Sequence, residues 1–277
     1  MKLVKEVIAS RNNPRIKWAA SLTSKKGRAD AKSFIAEGEK LSLEALDAGL
    51  EVTHIFVRIE QKDAWLSKIN KYFDVEKFAQ TEIIFVEESV FEKISTEKSP
   101  EGVISVVKYL DFFNIADIIY KEEFFLKDNE RALVLCSVRD PGNLGAVIRS
   151  ATAFGVDRII LSADCADAYN PKTVRAAMGS LFRTKITEVG SLADFISAAK
   201  ANGRRVFAAE LSDGARSLSE TDLKATDIFI IGNEGHGISS EISSMCSASV
   251  YIPISKKTES LNAAVAAAVF MWEQSKL

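Results

Sequence analysis

The sequence predicts a two-domain α/β protein whose larger, C-terminal domain is built on a mostly parallel sheet. Three observations lead there. The chain has 277 residues, 47% of them hydrophobic, which is more than one domain of the commonest size holds. Short β-branched runs alternate with helical patterns along most of the chain, as in strands joined by crossover helices. That series is broken once, over Tyr109 to Arg131, where aromatic residues mix with acids and lysines and neither Gly nor Pro occurs. The expected organisation is therefore residues 1–108 as a smaller domain, 109–131 as a helical connector with one face packed, and 132–277 as the larger domain.

The elements follow in order. Asn13 before Pro14 reads as an N-cap with proline at the first helical position, opening a helix through Trp18 and Ala20. After Gly27, the apolar runs Ser33–Ala36, Thr53–Val57, Glu82–Val86 and Gly102–Val107 predict strands, and Glu39–Ala48 and Lys62–Tyr72 predict helices. The second series has strand-like runs at Leu133–Cys136, Arg158–Leu161, Thr184–Val189, Arg205–Ala208, Asp227–Ile231 and Val250–Ile252. Such runs suit a parallel sheet covered on both faces, in which ligands bind beyond the carboxyl ends of the strands.

Composition narrows the function class. Net charge is −2, so the chain is not a polycation. Yet residues 1–32 hold nine basic side chains, Lys2, Lys5, Arg11, Arg15, Lys17, Lys25, Lys26, Arg28 and Lys32, against two acids, Glu6 and Asp30. A basic arm on an acidic body suggests a local phosphate-binding face; the other reading is a solvated pair of amphipathic helices. Cys136, Cys165 and Cys246 are odd in number and widely spaced, which fits neither a disulfide framework nor a zinc site. His54 and His236 lie far apart and make a poor ligand set, so no metal is expected. No apolar run approaches the roughly 18 residues of a membrane span, and Lys2, Lys5 and Glu6 stand where a signal sequence would be apolar. A cytoplasmic protein without a membrane partner is expected.

Three post-strand segments carry the chemistry. After Leu133–Cys136 come Asp140-Pro141-Gly142-Asn143-Leu144-Gly145, then a helix over Ala146–Ala153 bearing Arg149 among apolar neighbours. Such an arginine pairs with a carboxylate or a phosphate. After Asp227–Ile231 come Gly232-Asn233-Glu234-Gly235-His236-Gly237, either a tight turn or a loop wrapped around a small ligand. Its glycine order is not the dinucleotide fingerprint. After Val250–Ile252 come Pro253-Ile254, the loop Ser255-Lys256-Lys257-Thr258, and Ser260-Leu261-Asn262 before an alanine-rich helix, with Ser260 as the expected N-cap.

In this order the three segments resemble the SpoU-type RNA ribose methyltransferases of the SPOUT superfamily. Motif one matches Asp140 to Gly145 through Arg149, motif two Ile231 to Gly235, and motif three Ile252-Pro253-Ile254 through Ser260-Leu261-Asn262. Ala177 to Arg183 is similar to the family's segment between motifs one and two. Phe34-Ile35-Ala36-Glu37-Gly38 and Pro100-Glu101-Gly102-Val103-Ile104 resemble a ribosomal-protein-like RNA-binding domain. Motif three commonly has a glycine soon after its proline, where this chain has Ser255 to Thr258.

The resemblance implies a C-terminal domain with a deep trefoil knot, preceded by the small RNA-binding domain, and an enzyme that methylates a ribose 2′-hydroxyl of structured RNA. It implies S-adenosylmethionine as cofactor, held by Ile231, Gly232, Asn233, Gly235, Ile252, Ile254 and Leu261. The implied catalytic set is Asn143, Arg149, Glu234, Ser260 and Asn262. Arg11, Arg15, Lys17, Lys25, Lys26, Arg28 and Lys32 would contact RNA, and the chain would act as a homodimer. The expected substrate is 23S ribosomal RNA; a tRNA-specific enzyme, a resistance methyltransferase and a catalytically inactive RNA-binding or assembly protein are the alternatives. In the family Arg149 would be the general base. Since arginine has a pKa above about 12, the competing role is a guanidinium that grips the neighbouring phosphate while the proton leaves to water or Glu234.

Overall fold

The computed structural model describes the chain apart from residues 5, 74–75, 111–113, 117–125 and 234, and the backbone alone for 114–116. It comprises two compact units. One is Met1–Leu110 with Asp167–Phe182; the other is Asp111–Ala166 with Arg183–Leu277.

The first unit contains β1 (Lys2–Leu3), α1 (Pro14–Ser21), α2 (Lys25–Ala31), β2 (Ser33–Glu37), α3 (Glu39–Asp47), β3 (Val52–Arg58), α4 (Lys62–Tyr72), β4 (Glu82–Val86), α5 (Glu88–Ile94) and β5 (Val103–Lys108). Its sheet runs β1-β4-β3-β5-β2, with β5 antiparallel to both its neighbours. Asn13 caps α1 by accepting from the Arg15 amide, with proline next to it. One face of the sheet packs Ile35, Phe56, Ile84 and Ile104 against Ile16 and Ala19 of α1 and Val90, Phe91 and Ile94 of α5. Successive strand residues face opposite ways, so Phe34 lies on the other face. There it stacks on Tyr169 with ring centroids 4.7 Å apart and meets Phe182 at 6.4 Å. The first unit is thus closed by residues that lie far downstream in the chain.

The second unit contains β6 (Asn114–Ala116), β7 (Ala132–Leu135), α6 (Pro141–Ala153), β8 (Arg158–Ser162), β9 (Lys185–Val189), α8 (Leu192–Ala201), β10 (Val206–Ala209), β11 (Arg216–Ser217), β12 (Ile228–Ile231), α9 (Ser240–Met245), β13 (Ala248–Tyr251) and α10 (Ala263–Ser275); α7 (Pro171–Ala177) falls in the segment belonging to the first unit. The strand order is β11-β13-β10-β12-β7-β8-β9-β6, and every pairing is parallel. Val134, Ile160, Ala208, Ile228 and Ile230 pack with Phe195 and Ile196 of α8, while Phe229 meets Phe270 of α10 at 4.8 Å. The order reverses at β7, whose partners are β8 on one side and β12 on the other. Loops leaving such a reversal point splay apart and leave a crevice.

Three expectations are corrected. The connector is not wholly helical: Asn114–Ala116 is a strand paired with β9, while 111–113 and 117–125 lie outside the described residues. Motif one is helical from Pro141, not from Ala146, because Asp140 accepts from the Asn143 amide at 2.8 Å and Pro141 holds the first position. The cap of α10 is Asn262 instead of Ser260, since Asn262 Oδ1 accepts from the amides of Ala264 and Val265.

Candidate active site

At the end of β7, Ser137 adopts φ 59°, a left-handed conformation that is uncommon for a residue with a side chain. Its amide donates to Ser162 Oγ at 2.8 Å, and its carbonyl accepts from Asn233 Nδ2 at 2.9 Å. Asn233 Oδ1 in turn accepts from the Gly235 amide at 2.8 Å. The loop then folds back on itself: the Gly237 amide donates to Asn233 O at 2.8 Å and the Asn233 amide to Gly237 O at 3.3 Å. Asn233 is therefore the pin of motif two, fixing one side of the loop to the turn that leads from β7 into motif one. Glu234, the expected acid, lies outside the described residues.

Gly232 is required by packing. A Cβ there would stand 2.5 Å from the carbonyl carbon of Gly237 and 2.7 Å from its oxygen. Next to this crossing is a cavity of about 550 Å³, lined by Ile231, Gly232, Asn233, Ile252, Ile254, Ser260 and Leu261. Six of the seven residues expected to hold the cofactor thus share one concave surface at the carboxyl ends of β12 and β13. Gly235 is not on that surface and is exposed.

The catalytic candidates are arranged around the neighbouring helix ends. Asn262 Nδ2 donates to Asn143 Oδ1 at 3.0 Å, joining motif one to motif three across 119 residues of chain. Asn262 is committed at both ends of its amide, to Asn143 and to the head of α10. Arg149 lies on α6 six residues beyond Asn143, about 9 Å along the axis. It is exposed, and among the described residues no hydrogen bond or ion pair engages it. A salt bridge tying two elements is therefore not the role observed. Ser260 is exposed, and its carbonyl accepts from Thr258 Oγ1 at 3.2 Å.

Beside Ser137, Asp164 accepts from Ser162 Oγ at 2.7 Å and pairs with Arg139 at 2.9 Å. Burial pushes its carboxyl up, but hydrogen bonds from Ser162, Arg139 and Ser137 together with the Arg139 charge outweigh this and hold it at about 2. The thiols of Cys136, Cys165 and Cys246 are pushed up, chiefly by burial, the last to about 11. Among the described residues no group of three or more His, Cys, Asp or Glu could hold a metal ion.

The basic arm divides. Arg11, Lys17, Lys25, Lys26 and Lys32 are exposed. Arg15 is also exposed but pairs with Glu82 at 3.0 Å. Arg28 is a correction: it is 1% exposed, donates to the carbonyls of Leu22 and Thr23, and pairs with Asp167 at 2.5 Å. It is a buried strut of the α1–α2 turn and cannot reach a phosphate outside.

Several residues of the cavity wall carry no motif signature in the sequence, Ala209, Glu210, Leu211, Tyr251 and Phe270 among them. Glu210, immediately after β10, lines the cavity; its position just beyond a strand's carboxyl end was the available signal, but no motif surrounds it.

Residues 130–272 match the family model for the SpoU rRNA methylase family, and residues 13–105 match that of the MRM3-like substrate binding domain. The 23S rRNA (guanosine(2553)-2′-O)-methyltransferase RlmP of Bacillus subtilis is 31% identical over 96% of this chain and 97% of its own. The 23S rRNA (uridine(2479)-2′-O)-methyltransferase of Streptomyces viridochromogenes is 28% identical over 96% of this chain and 90% of its own. Among solved structures, an AdoMet-bound rRNA methyltransferase from Sinorhizobium meliloti superposes with a TM-score of 0.81 at 30% identity, covering 98% of this chain and 97% of that one. With motifs two and three lining one cavity, motif one bonded to motif three through Asn143 and Asn262, and family matches spanning both units, the chain belongs to the SpoU rRNA methylase family.

Proposed function

We propose that this protein is an S-adenosylmethionine-dependent methyltransferase that modifies a ribose 2′-hydroxyl of 23S ribosomal RNA. The observation that carries this reading is the cavity itself, whose walls come from motifs two and three and which lies beside the Ser137–Asn233 bond to the turn that follows β7. Its residues fit the cofactor. Ile231, Ile252 and Ile254 offer aliphatic surface to an adenine ring, and the backbone at Gly232 approaches too closely to admit any side chain. A volume of about 550 Å³ is in the range of small-molecule sites. When bound, the cofactor supplies a methyl group made electrophilic by its sulfonium.

The residues then have to align an RNA hydroxyl with that methyl group and remove one proton. The Asn262–Asn143 hydrogen bond holds the head of α10 against the first turn of α6. Arg149, exposed and unpaired among the described residues, is suited to grip the phosphate beside the target ribose. Arginine side chains stay protonated in proteins, so the proton passes to water or to Glu234. Arg11, Lys17, Lys25, Lys26 and Lys32 in the first unit add phosphate contacts, and RNA shape supplies specificity.

The reading includes a homodimer. Val265 and Trp272 on α10 are 50% and 52% exposed, and with Val269 and Phe154 they line an open groove between α6 and α10. Apolar exposure of this kind marks an interface. A second copy seated there would bring two active sites together about a twofold axis. We also assign the loops around β12 and β13 to a trefoil knot, a rare exception to the rule against threading, and the protein to the cytoplasm. Among the described residues no helix is long and apolar enough to cross a membrane. Trp272→Glu is expected to yield a monomer by light scattering, with activity lost; an unchanged dimer would remove α10 from the interface.

The function is tested with tritiated S-adenosylmethionine, total RNA from a strain lacking the gene, and Asn143→Ala as control. Label in the large ribosomal RNA, recovered as an alkali-resistant dinucleotide, is the expected result. Label in tRNA would move the assignment to that substrate, and cofactor binding without transfer to RNA or to assembling particles would leave an RNA-binding protein.

A further inference from the structure

The walls of the cavity are largely aliphatic, and Glu210 brings a half-buried carboxylate to them. Its position is built by the fold. Its amide donates to the carbonyls of Ala208 and Val250, each at 3.1 Å, which pins it to the ends of β10 and β13. The hydroxyls of Ser243 and Ser249 both donate to the same oxygen, Oε1, at 2.5 and 2.8 Å. Among the described residues no hydrogen bond reaches the other oxygen, Oε2.

A carboxylate that lines a cavity and has hydrogen bonds to only one of its oxygens keeps the other as an acceptor for a ligand donor, since an ionised carboxylate can only accept. In an adenosyl sulfonium ligand the sulfur has no hydrogen to give. The ammonium of the amino-acid end is best left hydrated at the mouth, where Lys256 would also repel it. The vicinal ribose hydroxyls are two donors that can converge on one carboxylate oxygen. A post-strand acid serves that purpose in dinucleotide-binding folds, though here it follows a different strand and no glycine fingerprint accompanies it.

We infer that Glu210 binds the ribose hydroxyls of the cofactor's adenosyl group through Oε2. This rests on the S-adenosylmethionine reading of the cavity. The test is calorimetric binding of S-adenosylhomocysteine, of 5′-methylthioadenosine, which lacks the amino-acid end, and of the 2′-deoxy and 3′-deoxy forms of the latter. A hydrogen bond to a charged acceptor corresponds to a loss of about tenfold or more in affinity. The wild-type protein is expected to bind at least one deoxy form that much more weakly than the parent. Glu210→Ala is expected to weaken S-adenosylhomocysteine and 5′-methylthioadenosine by the same factor and to stop distinguishing the deoxy forms. If only S-adenosylhomocysteine suffers, the acid serves the amino-acid end and the inference falls. It falls too if the wild type binds parent and deoxy forms alike, a comparison that does not depend on the variant folding. Failure of the wild type to bind any of these compounds would overturn the cofactor reading and this inference with it.

Discussion

Replacing Gly232 by alanine isolates the contact on which the cavity depends. The added Cβ would lie 2.5 Å from Gly237 C, 2.7 Å from Gly237 O and 2.8 Å from the Ile238 amide nitrogen. Ordinary contacts begin near 3.4 Å, so the two strands of the loop must separate by most of an ångström. All three obstacles are backbone atoms and cannot rotate away. Separation forfeits the paired Asn233–Gly237 hydrogen bonds at 2.8 and 3.3 Å, at about 1 kcal/mol each, and overpacking adds about 1–3 kcal/mol. A loss of about 3–5 kcal/mol, confined to this loop, would appear as S-adenosylhomocysteine affinity reduced by a factor of about 100 or more by calorimetry. Gly235→Ala is the control, because its Cβ would meet only the Asn233 side-chain oxygen at 3.3 Å; an affinity within about threefold of wild type is expected. Gly232→Ala binding as tightly as wild type would refute the packing argument and the placement of the cofactor beside this crossing.

The other predictions address separate links. Arg149→Lys should abolish most methyl transfer while leaving cofactor affinity unchanged, because the lysine point charge cannot reproduce a bidentate grip; equal loss of cofactor binding would place Arg149 in the cavity instead. Asp167→Ala should destabilise the protein by about 3 kcal/mol in urea unfolding, since it strands the buried Arg28 cation; a change below about 1 kcal/mol would mean that the pair is solvated. Asp164 has a folded pKa of about 2 against an ordinary 3.8. Its contribution is therefore fully present above about pH 4 and is lost as pH falls through 2. The difference in melting temperature between wild type and Asp164→Asn should shrink over that window, and a difference independent of pH would show that the charge is not what stabilises.

Much of the fold was legible because local patterns and global packing agree. All ten runs expected to be strands are strands, their ends shifted by at most two residues, since the strands are buried on both faces and read as continuous apolar segments. What escaped is physically explicable. β1 and β11 are two-residue edge strands, too short to carry a period. The Asp140–Pro141 helix start has the same signature as Asn13–Pro14, but Gly142 and Gly145 within the first turns masked it. Asn262 and Ser260 are equally competent caps, and only the backbone path decides between them.

At the site, the motif residues were recognisable, but their connections were not. Nothing local reveals that Asn262 bonds Asn143, or that Ser137 holds Asn233 from a strained backbone. Charge proved a poor guide to exposure. Arg28 looks like its basic neighbours in sequence, yet it is buried because Gly27 lets the turn close, a Cβ there falling 2.1 Å from the Ser21 carbonyl oxygen, and because Asp167 supplies the counter-charge.

That counter-charge comes from a segment 139 residues downstream, and the same segment brings Tyr169 onto Phe34 and its hydroxyl to the Leu110 amide at 2.9 Å. During synthesis, the first 110 residues leave the ribosome well before these partners exist. Domains ordinarily mature from the N-terminus as they emerge, but here the earliest-made sheet must wait, one aromatic face uncovered and one cation unneutralised, until Phe182 has been added. The nascent chain thus passes through a stage in which its first sheet is incomplete, so folding of this unit is completed only after synthesis has moved well into the second.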